Sequence, residues 1–323
     1  MLVYLAAVFL VSGIFSYAVL RLLIPRLIAS GMVGSDINKP GKPKVAEMGG
    51  IGIVAGFALG VLLAVFFSTF LGFTFNLGFV LAALISIFML AFIGFVDDLL
   101  DIPQAVKAFL PLVAAIPLMA VIAGSTVMDI PFVGQVDLGV LYLFVLVPIG
   151  IAVASNLTNM LAGFNGMEGG MGFVLLLAAA IAALNVHSTE ALVLYVPLMG
   201  ALLGFLFLNK YPSKVFPGDV GTLMIGATLA AGAIIGNFEA IAALLMAAFV
   251  ADFFIKAKNR FPSSKWWGEF REGKLYPVDG NVRGLAQLVM KLADGISEVN
   301  LVLVFVIIQA LVGIAVLAFF FLR

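Results

Sequence analysis

The sequence predicts an all-α, polytopic membrane protein: one membrane-embedded domain over 1–323, crossing the bilayer in about ten transmembrane helices, with both ends outside. Three observations carry this expectation. The first is composition. Of 323 residues, 64% are hydrophobic and 11% charged, against about 45–50% and about 25% in a soluble domain. A water-soluble core cannot hide that much apolar surface, so a soluble Rossmann or barrel enzyme is excluded. The absence of a polar low-complexity tract argues against disorder.

The second is the spacing of apolar runs. A helical span needs about 20 mostly apolar residues. Such runs lie near 2–28, 50–70, 77–96, 105–124, 138–155, 170–186, 191–208, 219–236, 239–256 and 299–321. Lipid offers no partner to open backbone groups, so each run is expected to be helical. The first run is not expected to be a cleaved leader, because Arg21 and Arg26 follow its apolar stretch instead of preceding it. Glycines at four-residue spacing (Gly52, Gly56 and Gly60; Gly200 and Gly204; Gly232 and Gly236) mark expected close helix contacts.

The third is charge asymmetry. Loops after odd-numbered spans hold the lysines and arginines, from Lys39 to Lys291; the internal loops after even-numbered spans hold none. Positive residues stay in the cytoplasm, which puts both ends outside and leaves Arg323 as the one basic residue there. Of the carboxylates, only Asp129, Asp137, Glu190 and Glu239 fall on the outer side. Any chemistry is therefore expected on the cytoplasmic face, which includes one long loop, 257–298.

The chain has no cysteine and one histidine, His187. Thiolate chemistry and a histidine metal cluster are thus excluded. A formal net charge of zero argues against nucleic acid as a partner.

Four cytoplasmic clusters stand out. Asp97, Asp98 and Asp101 end an apolar helix, where they are either a solvated helix end before Pro103 or converging carboxylates that need a cation, a divalent metal or Lys107. The stretch 156–170 carries Asn156, Asn159, Asn165 and Glu168 among glycines; it is either a polar inter-helix loop or a source of hard oxygen ligands and hydrogen bonds to a polar ligand. Asp219 opens a helix after Lys214 and Gly218, where it is either a cap or part of a metal–phosphate site. The basic loop 38–50, with Glu47, is either a phosphate or lipid-headgroup site or ordinary positive-inside charge. Trp266 and Trp267 read as an interfacial anchor or part of a working loop.

Together, Asp97-Asp98-Leu99-Leu100-Asp101, the 156–170 stretch and Tyr211–Thr222 resemble the polyprenyl-phosphate N-acetylhexosamine-1-phosphate transferase superfamily (glycosyltransferase family 4). Their wording is most similar to the eukaryotic and archaeal dolichyl-phosphate GlcNAc-1-phosphotransferase branch. The resemblance implies transfer of a sugar-1-phosphate from a UDP-sugar to dolichyl or polyprenyl phosphate with Mg²⁺ (or Mn²⁺), releasing UMP as a first membrane step of N-glycan assembly. It implies a multi-pass enzyme of the plasma membrane, possible as a homodimer. By the same resemblance Asp97 and Asp98 are the paired catalytic aspartates, Lys107 contacts phosphate, and Asn165 with Asp219 hold the metal. Glu47 is an active-site glutamate, Phe216 stacks on uracil, and the turn from Gly166 binds the nucleotide. The sequence departs from the family in its last cytoplasmic loop, where Arg260 and Lys265 stand in place of the usual basic motif. The rival class is a transporter or lipid flippase, which would need polar residues deep in several spans; Asp252, near a helix end, is the main candidate.

Overall fold

A computed structural model describes residues 1–130, 133–262 and 264–321; Ser263 and Arg323 lie outside them. Helix α1 (Leu2–Ala29) leads into a two-stranded hairpin, β1 (Val33–Ser35) and β2 (Lys44–Ala46), and then α2 (Gly50–Leu71) and α3 (Leu77–Leu100). The short helices α4 (Gln104–Ala114) and α5 (Ile116–Ala120) precede the hairpin β3 (Val127–Ile130) and β4 (Gly134–Asp137). A π-turn at Tyr142–Leu146 opens α6 (Val147–Met160). Four helices follow: α7 (Met167–Asn185), α8 (Thr189–Asn209), α9 (Gly218–Gly236), and the short α10 (Glu239–Leu245). Helix α11 (Ala247–Lys258) ends the ninth apolar run. The long loop then folds into β5 (Gly268–Arg271), β6 (Lys274–Pro277) and α12 (Leu285–Leu292), before α13 (Glu298–Phe321) closes the chain.

Eight helices among the described residues are long and apolar enough to cross a membrane, or nine if the α10–α11 pair counts as one span. Two expected spans thus differ. The fourth, 105–124, is a shorter helix pair interrupted at Ala115, with Pro111 inside α4 and Pro117 at the start of α5. Each proline removes a backbone donor and crowds the preceding turn. The ninth is bent by 60° at Met246, where no proline or glycine marks the break.

Helices α8 and α9 are innermost, with 78% and 89% of their most apolar windows buried. Helices α1 and α13, at 22% and 28%, face outward. In lipid, apolar burial gives helices little reason to associate, so close packing must do it. The glycine spacing supplies this packing: a side chain at Gly200 would collide with the Phe9 carbonyl of α1, and one at Gly204 with that of Gly13. Buried serines follow the same seam, with Ser12 and Ser16 of α1 against Gly56 of α2.

The two ends of the bundle differ in character. At one end Tyr4 donates to the Leu71 carbonyl at 3.1 Å, Glu190 accepts from the Asn76 N–H at 2.7 Å, and Tyr142 donates to Glu239. At the other end the loops are stitched together. Phe216 N–H donates to Ala46, Gly49 N–H to Phe216 and Gly50 N–H to Pro217, at 2.7–2.8 Å. This second end carries the four sequence clusters.

Candidate active site

The stitched end encloses one large cavity of about 1190 Å³. Its charged wall begins where α3 ends. Asp97 Oδ1 accepts the Ile102 N–H at 2.9 Å, which holds the turn after α3, and its Oδ2 meets Lys107 Nζ at 2.6 Å. Lys107 pairs also with Asp219 Oδ2, so one ammonium bridges carboxylates from two helices. Lys107 and Asp219 both line the cavity.

Asp98 does something else. Its Oδ1 accepts the Asp219 N–H at 2.9 Å and its Oδ2 leans on the Val220 N–H at 3.5 Å. It therefore caps α9 from a neighbouring helix, serving donors that α9 cannot satisfy itself. Two glycines permit this approach. A side chain at Gly94 would strike the Asp219 backbone; Gly218, at φ +65°, lies against the Asp98 carboxylate. The third aspartate of the run does not converge: Asp101 is exposed at the end of α3, at φ +51°.

The amide beside Asp219 is Asn159. Its Nδ2 donates to Asp219 Oδ2 at 3.2 Å, and its Oδ1 accepts from the Thr222 hydroxyl at 2.8 Å. This corrects the sequence expectation of Asn165 as the metal partner of Asp219. Asn165 is 4% exposed and its side chain is already engaged. Its Oδ1 accepts the Ser213 N–H at 2.6 Å and its Nδ2 donates to Asp36 Oδ2 at 3.0 Å. The two asparagines are six residues apart with a break of the helix between them, so they face different partners.

The remaining predicted residues divide. Asn156, Glu168, Glu47 and Phe216 line the cavity. Glu168 Oε1 accepts the Gly163 N–H at 2.6 Å, closing the turn that Gly166 makes at φ +90°. Burial raises the Glu47 carboxyl above its usual value, with Lys44 nearby opposing the shift. Arg260 and Lys265 are not on the cavity wall. Arg260 is exposed, and Lys265 pairs at 2.8 Å with Asp279, whose carboxyl that hydrogen bond holds low. The expected substitution of the family's basic motif by these two residues is therefore not what the geometry provides.

The loop supplies Trp266 and, next to it, a lysine the sequence reading did not single out. Trp266 lies against Gly163 and lines the cavity, so it does more than anchor the chain at an interface. Lys256 also lines the cavity, pairing with Asp252 at 2.8 Å and donating to the Met160 carbonyl at the end of α6. Asp252 in turn accepts the Leu285 N–H of α12 at 2.7 Å. The former transport candidate thus joins α11 to the loop. Its spacing of four from Lys256 was the available signal.

Beyond the charged wall the lining turns apolar: Ala105, Ala108, Val153, Val250, Phe253 and Phe254, contributed by α4, α6 and the bent α11. The cavity is therefore lined by charged and polar side chains together with apolar ones.

The donor set suits a hard divalent cation. Two carboxylates, Asp97 and Asp219, share one lysine, so negative charge is in excess. Among the described residues no three His, Cys, Asp or Glu side chains form a complete metal cage. Mg²⁺ does not require one, since it keeps waters and uses one or two carboxylates with substrate phosphates.

Residues 80–237 match the model of glycosyl transferase family 4. A Saccharolobus solfataricus protein, provisionally assigned as a UDP-N-acetylglucosamine–dolichyl-phosphate N-acetylglucosaminephosphotransferase, is 34% identical over 88% of this chain and 87% of its own. The chain belongs to glycosyl transferase family 4. A Sulfolobus acidocaldarius relative with the same provisional assignment is 35% identical over 90% of this chain and 88% of its own. The Dictyostelium discoideum UDP-N-acetylglucosamine–dolichyl-phosphate N-acetylglucosaminephosphotransferase is 28% identical over 77% and 71%. The family 4 match runs from α3 to α9 and so contains Asp97, Asp98, Lys107, Asn159 and Asp219. The β1–β2 loop and the Trp266 loop lie outside it.

Proposed function

We propose that this family 4 protein transfers N-acetylglucosamine-1-phosphate from UDP-N-acetylglucosamine to dolichyl or a related polyprenyl phosphate, releasing UMP, as the first membrane step of N-glycan assembly. One observation carries the reading: Lys107 and Asp219 form an ion pair on the wall of one cavity that polar and apolar side chains line together. A lipid phosphate and a nucleotide diphosphate would meet there. The assignments of the archaeal and Dictyostelium relatives supply the sugar and the lipid.

The reaction forms a bond from a lipid phosphate oxygen to the sugar-bearing phosphorus and breaks the bridge to the other phosphorus, so UMP leaves with the bridging oxygen. A monoalkyl phosphate has its second pKa near ~6, so the acceptor is largely ionised and needs no strong base. Catalysis is then positioning and charge neutralisation. Lys107 supplies a fixed positive charge, and Asp97 keeps its ammonium on the cavity wall. Asp98 acts through the start of α9, fixing Asp219. Asp219 and Asn159 would hold Mg²⁺, which when bound neutralises diphosphate charge. Phe216 and the Gly163–Glu168 turn frame the nucleotide end; the apolar wall takes the first isoprene units.

The site end is assigned to the cytoplasm and both chain ends to the outside of the plasma membrane, because the basic loops gather at the site end. The test is UMP release by the purified protein with dolichyl phosphate and Mg²⁺. Release that needs lipid, is abolished by EDTA and returns with Mg²⁺ supports the reading; silence with every nucleotide sugar defeats it. UMP release without lipid acceptor, in step with covalent labelling of the protein, would replace direct attack by a covalent intermediate.

A further inference from the structure

A second buried cluster borders the same cavity. Lys39 Nζ pairs with Asp36 Oδ2 at 2.5 Å and with Glu298 Oε2 at 2.9 Å. Glu298 Oε1 accepts the Asn165 backbone N–H at 2.7 Å, and Asn165 Nδ2 donates to Asp36 Oδ2 at 3.0 Å. These bonds close a ring through three distant pieces of chain: the β1–β2 loop, the turn after α6 and the first residue of α13. Asp36 and Glu298 side chains are 3% and 4% exposed, and Lys39 10%. The ring also has attachments. Asn165 Oδ1 takes the Ser213 N–H, and two residues from Asp36, Asn38 donates to the Gly163 carbonyl at 2.8 Å and accepts the Gly268 N–H at 3.0 Å.

Two carboxylates with one ammonium, removed from water, are costly unless every bond is made. Here each charged group is engaged, and each bond reaches a segment that shapes the cavity: Asp36 and Asn38 on one wall, Gly163 and Glu168 on the next. Elsewhere α13 packs on the bundle and donates from the buried Gln309 to the Leu245 carbonyl at 3.0 Å, far from the cavity wall; Glu298 is its sole acidic residue.

We infer that Lys39 and Glu298 are positioning residues: α13 acts through this ring to hold the 36–38 wall and the 163–168 turn in the shape that receives the nucleotide. The inference rests on the transferase reading above. Glu298 touches no reacting atom, so losing the ring should weaken nucleotide capture and leave the chemical step intact.

The experiment compares wild type with Glu298→Gln and with the double variant Lys39→Met/Glu298→Gln, in mild detergent with Mg²⁺. Initial rates are taken while UDP-N-acetylglucosamine and dolichyl phosphate are varied separately. For Glu298→Gln the KM for the nucleotide sugar should rise about tenfold, with kcat changed less than about twofold and the KM for dolichyl phosphate unmoved. Amides of 163–168 should exchange hydrogen faster in the variant than in wild type. The double variant should lose more than Glu298→Gln, because it also leaves the buried Asp36 carboxylate without its cation. An unchanged nucleotide KM, or a parallel change in both KM values and kcat, overturns the inference. If Glu298→Gln does not purify as a folded protein, the same criteria apply to Lys39→Arg, which keeps the charge and changes the geometry. Wild type inactive with all nucleotide sugars would instead fault the transferase reading, and the two failures are thus separable.

Discussion

The Lys107 cluster and the Lys39 cluster use the same parts, two carboxylates around one ammonium with an asparagine alongside, and they are wired in opposite ways. Around Lys39 the bonds close on themselves through Asp36, Asn165 and Glu298. Around Lys107 they stay open: Lys107 and Asp219 present their heads to the cavity, with Asp219's side chain 20% exposed. A closed ring fixes backbone segments; an open one keeps charge for a ligand. The difference predicts which lysine governs turnover and which governs the fold.

Asp219→Asn should show the largest effect, a fall in kcat of about 10³-fold at unchanged thermal stability, measured by UMP release beside a melting curve. Equal losses of stability and rate would remove the contrast between the clusters. Lys39→Met leaves two buried carboxylates without their cation, so it should cost about 3–5 kcal/mol of stability; denaturant or thermal unfolding in detergent measures it. Lys107→Met should invert that pattern, losing about 10²-fold in kcat and destabilising less than Lys39→Met, since its carboxylates keep access to water and cations. Asp98→Ala removes the cap of α9 and should cost about 1–2 kcal/mol, with Asp98→Asn retaining most of the stability because one acceptor oxygen remains.

The smallest effect concerns pH. Burial raises the Glu47 carboxyl, so the folded protein keeps that proton over a window in which the unfolded chain has released it. Stability from this group is present at low pH and is lost as pH rises through the folded value. Glu47→Gln should therefore flatten the fall in melting temperature as pH rises above the ordinary carboxylate range; an unaltered slope would show that Glu47 is not the group responsible.

Much of this was legible before any coordinates. Composition and run length alone forced a helical membrane protein, because a lipid-facing backbone has to satisfy its own hydrogen bonds. The glycine spacings marked real backbone contacts at Gly200 and Gly204. Asp97, Lys107, Asp219, Phe216 and Glu168 were named from local motifs, and they meet because their motifs end helices at the same end of the bundle. What the motifs did not disclose is direction. Asn159 and Asn165 look interchangeable in the sequence, and only the break between α6 and α7 sends one to Asp219 and the other to Asp36 and Ser213. Asp97 and Asp98 are neighbours, yet a helix points adjacent side chains about 100° apart, so one holds a lysine and the other caps a distant helix.

The sequence by itself therefore determined the solvent, the helical architecture and the family of chemistry, all of which follow from residue type and short-range spacing. Tertiary structure alone decided the bend at Met246, the inward turn of Trp266 over Gly163, and the ring that ties Glu298 to Lys39 across 259 positions. Such features depend on which segments pack together, and no local pattern of residues encodes a partner so far away.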